Sequence, residues 1–492
     1  MRRQAIAHAV RALCVIVEAG CATVPADAGF GDVQKLVTDG ASLDIQWNRD
    51  TPADRAVTEK VHSMLAREIT VEEAVQITLL NNAGLQATYE DLGIAQADLV
   101  EAGLLQNPVF EFEIRFPGDP RPPLEAHIIQ NFLDLFLLPL KKRVATARFE
   151  QAKMKVADEV IDVAAQVRSA FYELQAAQQL LEMRRSVAEA TKASVDAALQ
   201  LHAAGNLTDL ELENEQAMCA EAKLDLAQAE TDAREGRERL NILMGVWGND
   251  TEWTISNRLP ELPGSEISSE GLETLAVSRS FELQAARLDV EATAQSLGLT
   301  RASAFIPELN VGIHSEREPD GFNSVGPSIG FQLPLFNQGQ PLKARAQALL
   351  RRVQQRYVDA AVSLRANVRR LRDRMLAARR SVEYQVAVAL PLRSRIVEHT
   401  QLEYNAMQIG VFQLLQAKQG EIKAGRDYIE ALRSYWVARS ELEHVVGGQL
   451  SADVPAHDPP RNAQEEYHHD EKAPENDQNE EPAKTHHHGG KP

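Results

Sequence analysis

Elements of the same kind recur in the same order about two hundred residues apart, and this repetition constrains the chain more than any other feature. Leu85-Gln86-Ala87 is echoed by Leu283-Gln284-Ala285, and the alternating segment at 108–116 by one beginning at Pro307. Gln86 and Gln284 are 198 residues apart, Gly205 and Gly410 are 205 apart, and Leu240 and Leu442 are 202 apart. An ordered echo of this kind marks a tandem duplication, so one fold must accommodate two copies of helix, strand pair and long helical hairpin. The expected divisions are a signal-like segment at 1–21, an N-terminal extension at 22–68 and a first repeat at 69–250. A second repeat follows at 251–448, and a tail at 449–492.

Each copy changes period inside itself. Phe110, Phe112, Ile114 and Phe116 alternate with Glu111, Glu113 and Arg115, the period-two signature of a strand with one apolar and one polar side. A loop at 117–123 leads to a second apolar run, giving an expected strand pair at 108–138, with its counterpart at 307–336. From Leu140 the step lengthens: Val156, Val160, Val163, Val167, Phe171, Leu174 and Leu181 recur at three, four or seven residues, a coiled-coil-like seam. The expected hairpins are 140–247, turning near Gly205, and 340–447, turning near Gly410. Thr70 and Glu73 have the spacing of a capping box at the start of the first repeat.

Composition agrees. Hydrophobic residues make up 44% of the 492, yet aromatic residues only 5%, which suits long Ala- and Leu-packed helices better than several mixed cores. With 71 Asp and Glu against 52 Lys and Arg, the net charge is −19; this counts against a nucleic-acid partner. No run of 18 apolar residues proposes a transmembrane helix. Four strands cannot close a barrel, and open edges in lipid leave backbone groups unpaired. Closure by three chains would give twelve strands, within the range of membrane barrels; a small soluble sheet is the plainer alternative.

At this point the chain resembles the TolC-like outer-membrane efflux proteins, over nearly all of residues 68–448. The resemblance is carried by Ile69-Thr70-Val71-Glu72-Glu73-Ala74, Asn81-Asn82, Ala102-Gly103-Leu104-Leu105-Gln106-Asn107-Pro108 and the junction Leu333-Pro334-Leu335-Phe336-Asn337-Gln338-Gly339. Leu243-Met244-Gly245-Val246-Trp247-Gly248 and Ala203-Ala204-Gly205-Asn206-Leu207-Thr208 look like its heavy-metal efflux (CzcC- and CusC-like) branch. The resemblance implies a mainly α fold with a small β part. Duplicated helical hairpins would form an α-barrel, and four strands per chain one third of a trimeric 12-stranded β-barrel. It also implies a homotrimeric exit duct in outer-membrane lipid, with a large periplasmic part. The implied partners are a periplasmic adaptor and an inner-membrane pump of the RND type. A coiled-coil periplasmic scaffold and a metal-binding periplasmic protein stay open as other readings.

Candidate sites follow. No Gly-rich phosphate loop, GxSxG or HExxH occurs, so no enzyme and no cofactor is expected. Asp209, Glu211, Glu213 and Glu215 open a helix after Gly205; they read as a ring of carboxylates at a pore aperture or as a solvated acidic face. Similar proteins carry aperture carboxylates in the second repeat, but Val411-Phe412-Gln413-Leu414 has none. Gly205, Asn206 and Leu207, with Gly410, Val411 and Phe412, are the expected adaptor-docking turns. His62, His127, His202, His314, His399 and His444 are scattered singly and read as exposed or structural. Arg2 and Arg3 before a short apolar run, with Cys21 after Ala19-Gly20, resemble an export signal with a lipidation site; an ordinary frayed terminus is the alternative. Residues 452–492 hold ten acids, four bases and six of the 13 His, a composition that predicts disorder. There, His468, His469, His486, His487 and His488 are weak metal-ligand candidates, or incidental residues of a solvated tail.

Overall fold

The computed structural model describes residues 23–49, 51–116, 121–266, 271–304 and 308–448. The order of elements is α1 (Phe30–Ala41), α2 (Pro52–Leu65), α3 (Val71–Asn81), α4 (Ala83–Glu101), β1 (Val109–Ile114), β2 (Leu124–Asn131), α5 (Leu133–Ala203) and α6 (Asp209–Met244). Then come α7 (Leu272–Arg279), α8 (Phe281–Ser303), β3 (Leu309–Arg317), β4 (Asn323–Phe331), α9 (Gln340–Tyr384), α10 (Leu390–Asn405) and α11 (Val411–Val446). At 1.5 Å per residue the 71 residues of α5 extend about 105 Å. Among the described residues no helix is long and apolar enough to cross a membrane.

Sequence and structure differ at several boundaries. β2 ends at Asn131, and 133–138, expected as strand, already form the first turns of α5. Pro139 is tolerated inside that helix, so it does not mark a start. The helix expected to run unbroken from 340 to 408 contains a π turn at Gln385–Ala389 just before Pro391. Proline lacks an N–H and collides with the carbonyl four residues back, and a wider turn relieves both. The N-terminal stretch at 22–68, expected only as an extension, contains two helices that join the core. Val33, Val37, Ile45 and Val61 are buried there, and Lys153 of α5 holds Asp32 at 2.9 Å and Glu150 at 2.8 Å.

Packing follows the repeat. The seam positions Val156, Val160, Val167, Phe171 and Leu174 are buried in one core with α1–α4 and the end of α6. A second core joins Leu272, Ala276 and Leu283 to Leu364, Leu371, Tyr435 and Leu442. Near the sheet α4 packs on α5, α5 on α8 and α8 on α9; farther away the order is α6, α5, α11, then α9 and α10. The strands lie β1-β2-β3-β4, all antiparallel, in the same order as the helices they join.

Asp158 of α5 is half-buried among His444, Glu282 and Asp162. Burial pushes its carboxyl up to about 6, against a smaller lowering by His444 and further raising by Glu282 and Asp162. A raised folded-state pKa means that the protonated form stabilises the fold. That contribution is complete below the unfolded value near 3.8 and is lost as pH rises through about 6. Asp158→Asn should therefore stabilise the protein by about 1–3 kcal/mol at pH 7.5 and by almost nothing at pH 3.5. Denaturation at the two pH values checks this; an equal gain at both rejects it.

Candidate functional site

Register decides which side chains share a face of the sheet. Phe110, Ile128, Ile313 and Pro327 stand opposite one another across the four strands, as do Phe112, Ala126, Ser315 and Val325. This face is apolar and open: Phe110 is 65% exposed, Val325 71% and Ile329 70%. Phe116 and Phe322 are exposed beyond its loop end, and Phe331 and Phe336 at its helix end. The opposite face carries the row Glu111, His127, His314, Gly326 and the row Glu113, Glu125, Glu316, Ser324. Arg115 donates to Glu113 at 2.9 Å and also to Glu125. Large exposed apolar patches are rare on soluble monomers, whereas a lipid-facing band backed by a polar face is the pattern of a barrel wall around water.

His127 and His314 were expected to be isolated; β2 and β3 bring them together, with ring centroids 4.2 Å apart. A usable signal was present: Glu125-x-His127 and His314-x-Glu316 are mirror-image i, i+2 pairs, which strands place on one face. Only the pairing of β2 with β3, across the repeat boundary, shows that the two pairs meet.

At the far end of the hairpins the turns lie at 204–208 and 406–410, but the two glycines have different parts in them. Gly205 has φ 76° and closes α5, its N–H donating to His202 O and that of Asn206 to Leu201 O. Met407, at φ 58°, makes the same pattern with Tyr404 and Glu403. The residue equivalent to Gly205 is therefore Met407, 202 positions on. Gly410, at φ −81°, is the N-cap of α11 and matches Thr208, the N-cap of α6. The expected carboxylate run also separates. Glu211 forms a capping box with Thr208, whose backbone N–H holds its carboxyl below the usual range. Glu215 is buried and accepts from Ser194 at 2.7 Å. Asp209 is exposed and lies 2.7 Å from His202 Nε2; Glu213 is exposed. Phe412 is 61% exposed, Asn206 is exposed, and Leu207 and Val411 are half-buried.

No family model matches the chain. It is 21% identical over 393 residues to the cobalt-zinc-cadmium resistance protein CzcC of Cupriavidus metallidurans, covering 78% of this chain and 91% of CzcC. The Campylobacter jejuni CmeC outer membrane channel superposes with a TM-score of 0.66 at 14% identity, over 86% of this chain and 93% of CmeC. CusC, crystallised in a study of folding and transmembrane channel formation, gives 0.62 at 15% identity, over 77% and 92%. The chain has the fold of these solved structures.

Among the described residues the packing order leaves two flanks uncovered: β1, α4 and α6 on one side, β4, α9 and α10 on the other. Their charges are opposite. α4 carries four acids and no base, and α6 ten acids against four bases. α9 carries twelve bases against three acids. Arg351, Arg352, Arg356, Arg365 and Arg370 are exposed and, among the described residues, make no ion pair. The overall charge of −19 conceals this polarity, which becomes readable only when net charge is taken helix by helix. Cys21, His468, His469 and His486–His488 lie outside the described residues.

Proposed function

We propose that this protein is the passive outer-membrane exit duct of an efflux system, working as a homotrimer. The observation carrying the reading is the four-stranded sheet with one exposed apolar face, one charged face and two open edges. Three copies would pair every edge, β4 of one against β1 of the next, and set the basic α9 against the acidic α4 and α6. The water-filled path would continue through the helical hairpins and be gated near their tips, where Asp209 and Glu213 remain the exposed carboxylates. An adaptor would dock around Asn206, Leu207, Val411 and Phe412, and an RND-type inner-membrane pump would supply the energy. Opening then means hairpins shifting between packed states. The name of CzcC and its match along most of this chain support divalent transition-metal cations as cargo.

Membrane fractionation tests the reading. The full chain should be found in the outer membrane, run as a heat-modifiable trimer on unboiled gels, and produce conducting channels in planar bilayers. A soluble monomer that conducts nothing rejects the duct in favour of a periplasmic scaffold.

A further inference from the structure

The polar face of the sheet contains a cluster that an inert water-lined wall does not need. His127 and His314 are directly opposed across β2 and β3. His314 Nδ1 faces the nitrogen-bearing edge of the other ring, 2.9 Å from His127 Nε2 and 3.2 Å from its Nδ1. Each ring has a carboxylate from its own strand: Glu125 Oε2 is 3.8 Å from His127 Nε2, and Glu316 Oε2 is 3.6 Å from His314 Nε2. Both imidazoles are 30% exposed, and Gly326 follows in the same row with no side chain to cover them.

We infer that His127 and His314, with Glu125 and Glu316, form a coordination site for a divalent transition-metal ion on the wall of the duct, one per chain. Imidazole nitrogen with carboxylate oxygen is a donor set that suits Zn²⁺, Co²⁺ and Cu²⁺. Two nitrogens on a tetrahedral ion at about 2.0–2.1 Å stand about 3.3 Å apart, so the pair needs to open by only about 0.4 Å. Among the described residues no three such ligands are already assembled. Binding therefore also requires Glu125, beside His127 Nε2, to turn onto the ion and give up part of its bond to Arg115, while Glu316 holds His314 through its other nitrogen, Nε2. Such a site keeps positions for water and releases its ion readily, as a wall that cargo passes should. The inference rests on the duct reading for its purpose, but not for its chemistry.

Detergent-solubilised full-length protein, titrated with Cu²⁺ and followed by electron paramagnetic resonance, tests the site. The intact chain should hold one more Cu²⁺ with two-nitrogen coupling than the His127→Gln/His314→Gln variant, and Glu316→Gln should weaken that ion about 10-fold. Ions bound by the tail are common to all three and cancel in the comparison. Without any variant, Zn²⁺ should protect His127 and His314 from diethylpyrocarbonate, read by peptide mass spectrometry. Equal Cu²⁺ stoichiometry with and without the pair, or no Zn²⁺ protection, overturns the site. Bilayer conductance separates the two ideas: a conducting protein with no such ion loses only the site, and one that binds the ion without conducting loses only the duct.

Discussion

Reversing Arg351, Arg352 and Arg356 to glutamate is expected to abolish the proposed trimer and leave the individual chain folded. The three side chains are exposed on α9, a helix of the uncovered flank, and, among the described residues, are free of ion pairs. By helical rise from the sheet, they stand at about the level of Glu90 and Asp91 on α4, the opposite flank. Surface ion pairs contribute only about 0.2–1 kcal/mol each. Reversal, however, replaces an attraction by a repulsion, and a closed ring repeats it at every seam. With three sites and three seams, a change of about 1 kcal/mol per site is on the order of 9 kcal/mol per ring. On the proposed reading, native mass spectrometry should show trimer for the unaltered protein and monomer for the variant. Raising salt to about 1 M, where the Debye length is about 3 Å, should partly restore assembly. Asp91→Lys in the same chain should restore it further. An intact trimer at low salt removes the seam.

Legibility of the fold divides along a physical line. Periodicity was readable wherever one face of an element meets a core: Val156, Val160, Val167 and Phe171 are all buried as their spacing implies. The alternation at 110–116 likewise put its phenylalanines on one side. What lay hidden were properties of pairs far apart in sequence. The mirrored pairs Glu125-x-His127 and His314-x-Glu316 are visible, but not that they meet, because that depends on β2 pairing with a strand 187 residues later. In the second turn, which does lie next to Gly410, the left-handed position was hidden for a different reason. Glycine is the usual residue at positive φ, so Gly410 drew the assignment, although the offset of 202 already pointed to Met407. The helices at 30–41 and 52–65 escaped because their amphipathic runs are short and lie in a Gly- and Asp-rich context.

Gly245→Ala is expected to destabilise the protein far more than Gly205→Ala, although both glycines close helices with nearly the same positive φ, 66° and 76°. Left-handed backbone costs a residue with Cβ about 1–2 kcal/mol, a term common to both sites. Around Gly205 a Cβ meets nothing within 4 Å. At Gly245 it lies 2.8 Å from the backbone oxygen of Asn81 and 3.2 Å from Asn82 Cα, atoms that cannot swing aside. Those two asparagines bind the end of α6: Asn81 Nδ2 donates to Met244 O at 3.0 Å and Gly245 O at 2.9 Å, and Asn82 Nδ2 to Leu243 O at 2.7 Å. Asn82 Oδ1 also accepts the Leu85 N–H at 2.8 Å and so caps α4. Separating α6 from α3 and α4 therefore breaks several bonds at once, each worth about 1 kcal/mol, and a cap worth about 1 kcal/mol. The expected loss is about 1 kcal/mol for Gly205→Ala and about 4 kcal/mol for Gly245→Ala. Asn82→Ala should fall between them at about 2 kcal/mol. Denaturant unfolding followed by circular dichroism ranks the three variants. Equal losses at the two glycines show that the junction yields, and that the Asn-Asn contact does not hold the end of α6.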